Sequence, residues 1–312
     1  MTINNSSPIE MVSPDDPGRR RFIAQITKLT GGVFLVSQPL FDEAGSWFNR
    51  SWTVEQVMEL FIKEVPGAPF ERTVDTLKAG KPGTIVKGIV TTMFATLEVI
   101  QKAIGLGANF IIAHEPTFYN HSDETAWLQH DEVYQYKKEL LQKHDIAVWR
   151  NHDYIHQHLP DGVLEGLMTE LDWKIYQDPT NKNIVSLPGL TLEELIKQVK
   201  STLGITMVRY IGDISQVCRK ILVLPGAYGG RRHIEAIGAT KPDVLVCGEI
   251  QEWETAEYIR DAQTKGQKIA LVILGHVLSE EPGSAYLANW LKEKLPGMPV
   301  THIPSKNPLM FL

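Results

Sequence analysis

The segment ANFIIAHEPTFYN, residues 108–120, runs a short apolar stretch straight into a charged pair. Phe110, Ile111 and Ile112 read as a strand covered on both faces, where an unbroken hydrophobic run is the rule. The run stops at His114-Glu115, and Pro116 fixes the chain behind them. A polar loop is one reading, since loops carry solvent-facing residues as well as sites. A strand that delivers an imidazole and a carboxylate to a site is the other.

The chain on either side alternates between two periods. TVEQVMELFIKEV opens with Thr53 and has Gln56 three residues later, the capping-box start of an amphipathic helix. GTIVKGIVTT reads as a strand, and MFATLEVIQKAIGLG as the helix that leads into the opening segment. TLEELIKQVKSTLG is a second capped helix. RKILVLPG and PDVLVCGE read as strands, IQEWETAEYIRDAQTKG as a helix and QKIALVILGH as a strand. Strands alternating with helices predict an α/β fold with mostly parallel sheets and helices packed on their faces.

Two of these units end alike, one at His114-Glu115 and the other at Gly275-His276. Ligand sites in open parallel sheets collect beyond the carboxyl ends of the strands. A third segment, IAVWRNHDYIHQHLPDG, begins as a strand over Ile146–Trp149 and turns into a polar cluster. His152, Asp153, His156 and His158 lie there, so three of the ten histidines fall within seven residues. A solvated loop ahead of a helix near Val163 is the plain reading; three imidazoles at a strand exit favour metal. In GHVLSEEPGSAYLANWL, Glu280 follows His276 by four residues. The helix carrying Tyr286, Leu287, Trp290 and Leu291 is expected to start near Pro282. Glu280 and Glu281 would then sit at its positive end, which favours carboxylates by itself.

The bulk composition narrows the function classes. The 312 residues allow one large domain or two modest ones, and 43% hydrophobic with 22% charged residues is an ordinary globular balance. A net charge of −6 offers no basic field for nucleic acid. Cys218 and Cys247 are too few for a disulfide framework or a thiolate cage. No apolar run approaches the ~20 residues of a membrane span, so a soluble protein is expected. The first fifty residues differ: MTINNSSPIEMVSPDDPG is predicted to be disordered. Behind it, Arg19-Arg20-Arg21-Phe22-Ile23 resembles a twin-arginine export signal, which implies delivery of the folded chain to the periplasm. Lys28 and Gln38 interrupt the apolar stretch that follows, and no Ala-x-Ala site precedes Trp47. The alternative is a basic N-terminal helix on a cytoplasmic protein.

AHEP, HDYIH, GAYGG, CGE and GHVLSE occur in that order. The series resembles the Nif-three-like family, also called GTP cyclohydrolase I type 2-like, over roughly residues 51–312. Its members carry His-His-Pro, His-x-x-x-Asp, a glycine-rich turn, Thr-Gly-Asp/Glu and Gly-His-x-x-x-Glu. The resemblance implies a dinuclear centre with His114, Glu115, His156, His276 and Glu280 as metal ligands. Glu115 stands where the family has its second His, and His156 where it has Asp. The exchange is balanced, so three imidazoles and two carboxylates remain and the ligand charge is kept. Two divalent ions are implied, and nitrogen and oxygen donors without thiolate suit zinc, iron, manganese or nickel.

Glu249 and His152 are the candidates for acid–base roles or for orienting the ligands, with Asp153 and His158 as alternatives. Cys247, where the family has Thr, reads as a small packed residue. The glycines of LPGAYGG form an ordinary turn or let backbone amides approach an anion. The resemblance further implies two similar α/β halves, roughly 51–165 plus the C-terminal end and 166–275. The metals would lie in the cleft between them, and the chain would assemble as a homohexamer. Trp47, Trp52, Trp127 and Trp253 are candidates for core or subunit contacts.

Three functions follow. The first is a metal-dependent hydrolase in which Glu280 bridges the metals and a shared hydroxide attacks a nucleotide- or pterin-like small molecule. The second is a non-catalytic metal-binding or oligomeric interaction protein. The third is a scaffold with a dead site. An enzyme needs an open coordination position, which the other two do not.

Overall fold

The computed structural model describes residues 51–310 and residue 312, and the Arg19–Ile23 motif lies outside them. In chain order come α1 (Val54–Ile62), β1 (Leu77–Ala79), β2 (Ile89–Thr92), α2 (Leu97–Gly105), β3 (Phe110–Ala113), α3 (Glu132–Lys143), β4 (Ala147–Arg150), α4 (Asp153–Gln157) and α5 (Gly162–Glu170). They are followed by β5 (Ile184–Thr191), α6 (Leu192–Leu203), β6 (Arg209–Ile211), β7 (Val217–Leu224), α7 (Gly230–Thr240), β8 (Val244–Cys247), α8 (Glu257–Thr264) and β9 (Ala270–Ile273). α9 (His276–Lys294) and β10 (Val300–His302) close the chain.

The strands form two five-stranded sheets, ordered β1-β4-β3-β2-β10 and β5-β7-β8-β9-β6. Pairing is parallel from β4 through β10 in the first and from β7 to β9 in the second. Only the edge strands β1, β5 and β6 run antiparallel to their neighbours. The central strands β2, β3, β4, β8 and β9 are buried at every residue, as continuous apolar runs between two helical layers require. Alternate residues of each sheet feed separate cores. Ile89, Phe110, Ile112 and Trp149 pack with α1 and α9, while Val90, Ile111 and Val148 pack with α2 and α3. In the second sheet Val223, Val246 and Val272 pack with α5 and α6, and Leu222, Leu245 and Leu271 with α7 and α8.

The expected helices form where their caps predict. Thr53 and Gln56 exchange backbone and side-chain bonds at the start of α1, and Thr191 and Glu194 do the same for α6, which stops at the left-handed Gly204. Trp52 is buried, whereas Trp127 and Trp253 are exposed, and Trp47 lies outside the described residues. Among the described residues, no helix is long and apolar enough to cross a membrane.

Two expectations are corrected. The last helix begins at His276, not near Pro282, which lies inside it. Gly275, at φ 97°, makes the sharp turn from β9 directly into the helix. Pro282 lacks the N–H that would bond to Leu278, and its ring crowds that carbonyl. Glu280 therefore lies one turn along from His276 and on the same face, instead of flanking a helix start. The polar cluster after β4 is likewise not all loop, since Asp153–Gln157 make a short helix with His152 at its N-cap.

Close approach holds α9 against α5. A Cβ on Gly166 would meet the Pro282 carbonyl oxygen at 2.3 Å, and one on Gly283 would meet Val163 Cα at 2.7 Å.

Candidate metal centre

β3 and β4 run side by side with Ala113 opposite Arg150, so the residues just beyond each strand emerge together. His114 and Glu115 leave β3, while Asn151 and His152 leave β4. From the second sheet, Gly275 swings the chain from β9 into α9, which presents His276 and Glu280. Glycines make room for that helix. A Cβ on Gly226, just after β7, would lie 2.0 Å from Glu280 Oε1, and Gly226 N–H donates to Ser279 Oγ at 2.9 Å.

The result is one cluster. His276 Nε2 lies 2.9 Å from Glu280 Oε2 and 3.2 Å from Glu115 Oε1. His114 Nε2 lies 3.4 Å from Glu280 Oε2, His156 Nε2 3.9 Å from Glu280 Oε1, and His152 Nε2 3.9 Å from Glu115 Oε1. His114, Glu115 and Glu280 are buried. Ligating atoms of His114, His152 and His156, and likewise of His114, Glu115 and Glu280, lie within 4.8 Å of one another, so either group can hold a metal ion.

The other nitrogen of each imidazole faces an oxygen. His114 Nδ1 lies 3.3 Å from the Asn151 carbonyl, His152 Nδ1 2.9 Å from Asp153, His156 Nδ1 3.1 Å from Asp161 and His276 Nδ1 3.3 Å from Glu249. Such partners fix tautomer and ring direction in metal sites and leave Nε2 free for the ion. His114 Nε2 is buried without a hydrogen-bond partner, an arrangement that a cation would satisfy.

Electrostatics point the same way. Burial alone would depress His276, but hydrogen bonds to Glu115 and Glu280, with their charges, push its pKa up to about 10. Burial also opposes protonation of His114, yet the charge of Glu280 raises it. Desolvation would lift Glu280 and Glu115, but the surrounding imidazoles hold both below the usual carboxylate range. His152 differs: burial and the charge of His114 bring it down to about 4. A field that favours protons on His114 and His276 favours divalent cations there as well.

Further residues brace the cluster without any signal in the motif pattern. Arg150, fully buried, donates from Nη2 to Glu115 Oε2 at 3.0 Å and from Nε to the His114 carbonyl at 3.3 Å. Its Nη1 lies 3.6 Å from Asp123 Oδ2, which also pairs with Lys78. Asp75 accepts from the backbone N–H groups of His152 at 2.8 Å and Tyr154 at 2.7 Å. Asp161 caps α5 through the N–H groups of Val163 and Leu164 while its other oxygen faces His156. An arginine closing an otherwise apolar strand, Ala147–Arg150, was the one local signal available.

Other candidates lie elsewhere or serve the fold. His158 is buried, stacks on Phe61 at 5.2 Å and faces the Pro160 carbonyl, so it belongs to the core. Cys247 packs with Leu222 and Leu245, and burial drives its thiol up to about 12. The glycine turn does expose a helix N-terminus, but its anion is internal: Gly230 N–H donates to Glu254 at 3.0 Å.

Fold and cluster together define an α/β protein whose two sheets bring histidines and carboxylates into a group able to hold metal. The chain belongs to the Duf34/NIF3 (NGG1p interacting factor 3) family, whose model matches residues 72–308. It is similar to a GTP cyclohydrolase 1 type 2 homolog of Clostridium perfringens, with 26% identity over 66% of this chain and 78% of that protein. Among solved structures it resembles a hypothetical protein of Staphylococcus aureus, at TM-score 0.67 and 21% identity, over 83% of this chain and 99% of that one. A Bacillus cereus protein related to NIF3 aligns at TM-score 0.65 and 18% identity, over 85% of this chain and all (100%) of that one. At these identities the structural likeness speaks for the fold.

Proposed function

We propose that the chain is a dinuclear metal-dependent hydrolase acting on a nucleotide- or pterin-like small molecule. The observation that carries this reading is the set of four imidazoles, each with Nδ1 facing an oxygen and Nε2 turned toward Glu115 or Glu280. His114, Glu115, His156, His276 and Glu280 would hold the ions. Bound divalent ions would supply Lewis acidity and lower the pKa of water toward neutrality. The substrate class rests on the name of the Clostridium perfringens relative, a GTP cyclohydrolase 1 type 2 homolog.

The protein's own groups have distinct tasks. Glu280 is within 4 Å of His114, His156 and His276, which suits a shared carboxylate. Glu115 offers one oxygen to the cluster and the other to Arg150. Glu249, half exposed and 3.3 Å from His276 Nδ1, is the carboxylate we assign to proton transfer, because it touches both the cluster and solvent. Assembly as a homohexamer and twin-arginine export of the folded chain belong to the same proposal. Light scattering of the purified protein tests the first, and cell fractionation of an Arg19→Lys/Arg20→Lys variant tests the second.

Elemental analysis of protein purified without chelator tests the centre. About two metals per chain, diminished in His276→Ala and His156→Ala, are expected. No metal after reconstitution would overturn the reading, and metal without turnover on any nucleotide or pterin would leave a binding protein.

A further inference from the structure

We infer that His114, His152 and His156 form an all-imidazole metal subsite, with His152 a ligand in its own right, beside a carboxylate-rich subsite at Glu115, Glu280 and His276. This rests on the metal-centre reading above and divides that centre into unlike halves.

The geometry of the three rings carries it. Their centroids are 4.9, 5.1 and 5.1 Å apart, a nearly equilateral triangle. Three imidazoles on a tetrahedral ion have metal–nitrogen bonds of about 2.0–2.1 Å, which puts ring centres roughly 3.2 Å from the metal and about 5.2 Å from one another. The observed triangle has that size. Rings in plain contact also sit about 4.5–7 Å apart, so the triangle counts together with the direction of the ring nitrogens.

Anchoring agrees. The Nδ1 atoms of the three rings face three different oxygens: the Asn151 carbonyl, Asp153 and Asp161. Each Nε2 is left for a ligand, since those of His152 and His156 lie 3.9 Å from the nearest carboxylates, beyond hydrogen-bond reach. His152 and His156 are four residues apart across α4, the spacing that aims two imidazoles from one helical turn at one ion.

Imidazoles gather on one side of the cluster and carboxylates on the other, where Arg150 pairs with Glu115. Imidazole-rich sites favour zinc, copper, nickel or iron, while carboxylate-rich sites suit manganese or magnesium. The centre is therefore expected to hold two different metals.

The test uses the full chain, stripped with chelator, given less than one equivalent of zinc and then excess manganese, and dialysed. X-ray absorption at the zinc edge should show three imidazoles around zinc, and elemental analysis should find manganese retained beside it. His152→Gln should lose the zinc and keep the manganese, and Glu115→Gln should do the reverse. A zinc shell with fewer than three imidazoles in the wild-type protein overturns the inference without recourse to any variant. So does a His152→Gln protein that keeps zinc with an unchanged spectrum, and in both cases the metal-centre reading stands. Wild-type protein that takes up neither metal removes that reading and the subsite with it.

Discussion

Arg150 Nη2 lies 3.0 Å from Glu115 Oε2, an ion pair closed off from solvent at the head of two parallel strands. The same guanidinium reaches the His114 carbonyl and Asp123, so it ties β3, β4 and the turn after Phe118 together. Replacing it by a neutral residue takes the guanidinium from the buried Glu115 and leaves Asp123 with Lys78 as its remaining cation. Arg150→Met is expected to lower stability by about 3–5 kcal/mol. Pairing it with Glu115→Gln should recover part of that loss. Urea unfolding of the single and double variants, read as a double-mutant cycle, measures the coupling.

Acid and base should act on the metal-free protein through His276. Its pKa is raised from 6.5 to about 10 by Glu115 and Glu280, which outweigh burial. A raised folded-state pKa contributes stability fully below the unfolded value and loses it as pH climbs through the folded one. Chelator-treated protein should therefore weaken between pH about 6.5 and 10, and His276→Gln should weaken much less over that window. Thermal unfolding across the series would show it. A flat profile in the unsubstituted protein would mean the carboxylates do not hold that proton.

Metal should stabilise as well as bind. An ion that binds only the folded chain adds about 2.7 kcal/mol when its free concentration is a hundred times Kd. Titrating zinc or manganese into stripped protein should raise Tm in a concentration-dependent way. The rise should shrink in Glu280→Gln, because that carboxylate lies between His114, His156 and His276.

Gly226 and Gly229 separate backbone strain from crowding. Both have positive φ, 72° and 82°, so alanine at either is strained by about 1–3 kcal/mol, and Gly229, with ψ 150°, lies in a region essentially reserved for glycine. Only at Gly226 would the new Cβ collide with Glu280, since nothing stands within 4 Å of the one on Gly229. Gly226→Ala is expected to lose metal as well as stability, and Gly229→Ala to lose stability alone. Equal metal content in the two would show that Glu280 can step aside.

The fold was largely legible because buried parallel strands leave unmistakable apolar runs, and Ile89, Phe110, Val244 and Ala270 all head such runs. The helix caps at Thr53 and Thr191 were legible for an equally local reason. The start of α9 was not. Proline is favoured in a first helical turn, which drew the boundary to Pro282, and only tertiary packing against Gly166 shows why the helix passes through it. At the centre, the strand-end residues His114, Glu115 and His276 stood out by position. Arg150, Asp75 and Asp161 did not, because what they do depends on chain segments far away in sequence: Asp75 meets the backbone of His152 only once β1 lies beside β4. His158 misled for the converse reason, sharing a run with His152 and His156 while facing the opposite side of a short helix, into Phe61.

The tight crossing of α5 and α9 ties the chemistry to a mechanical dimension. Asp161, at the head of α5, steers His156; α9 carries His276 and Glu280 in its first turns. The gap between those two sets of donors is a spacer whose width is set at Gly166 and Gly283, where backbone touches backbone. One methyl group added there would widen the gauge between the helices and detune the centre without altering any group that could touch a metal.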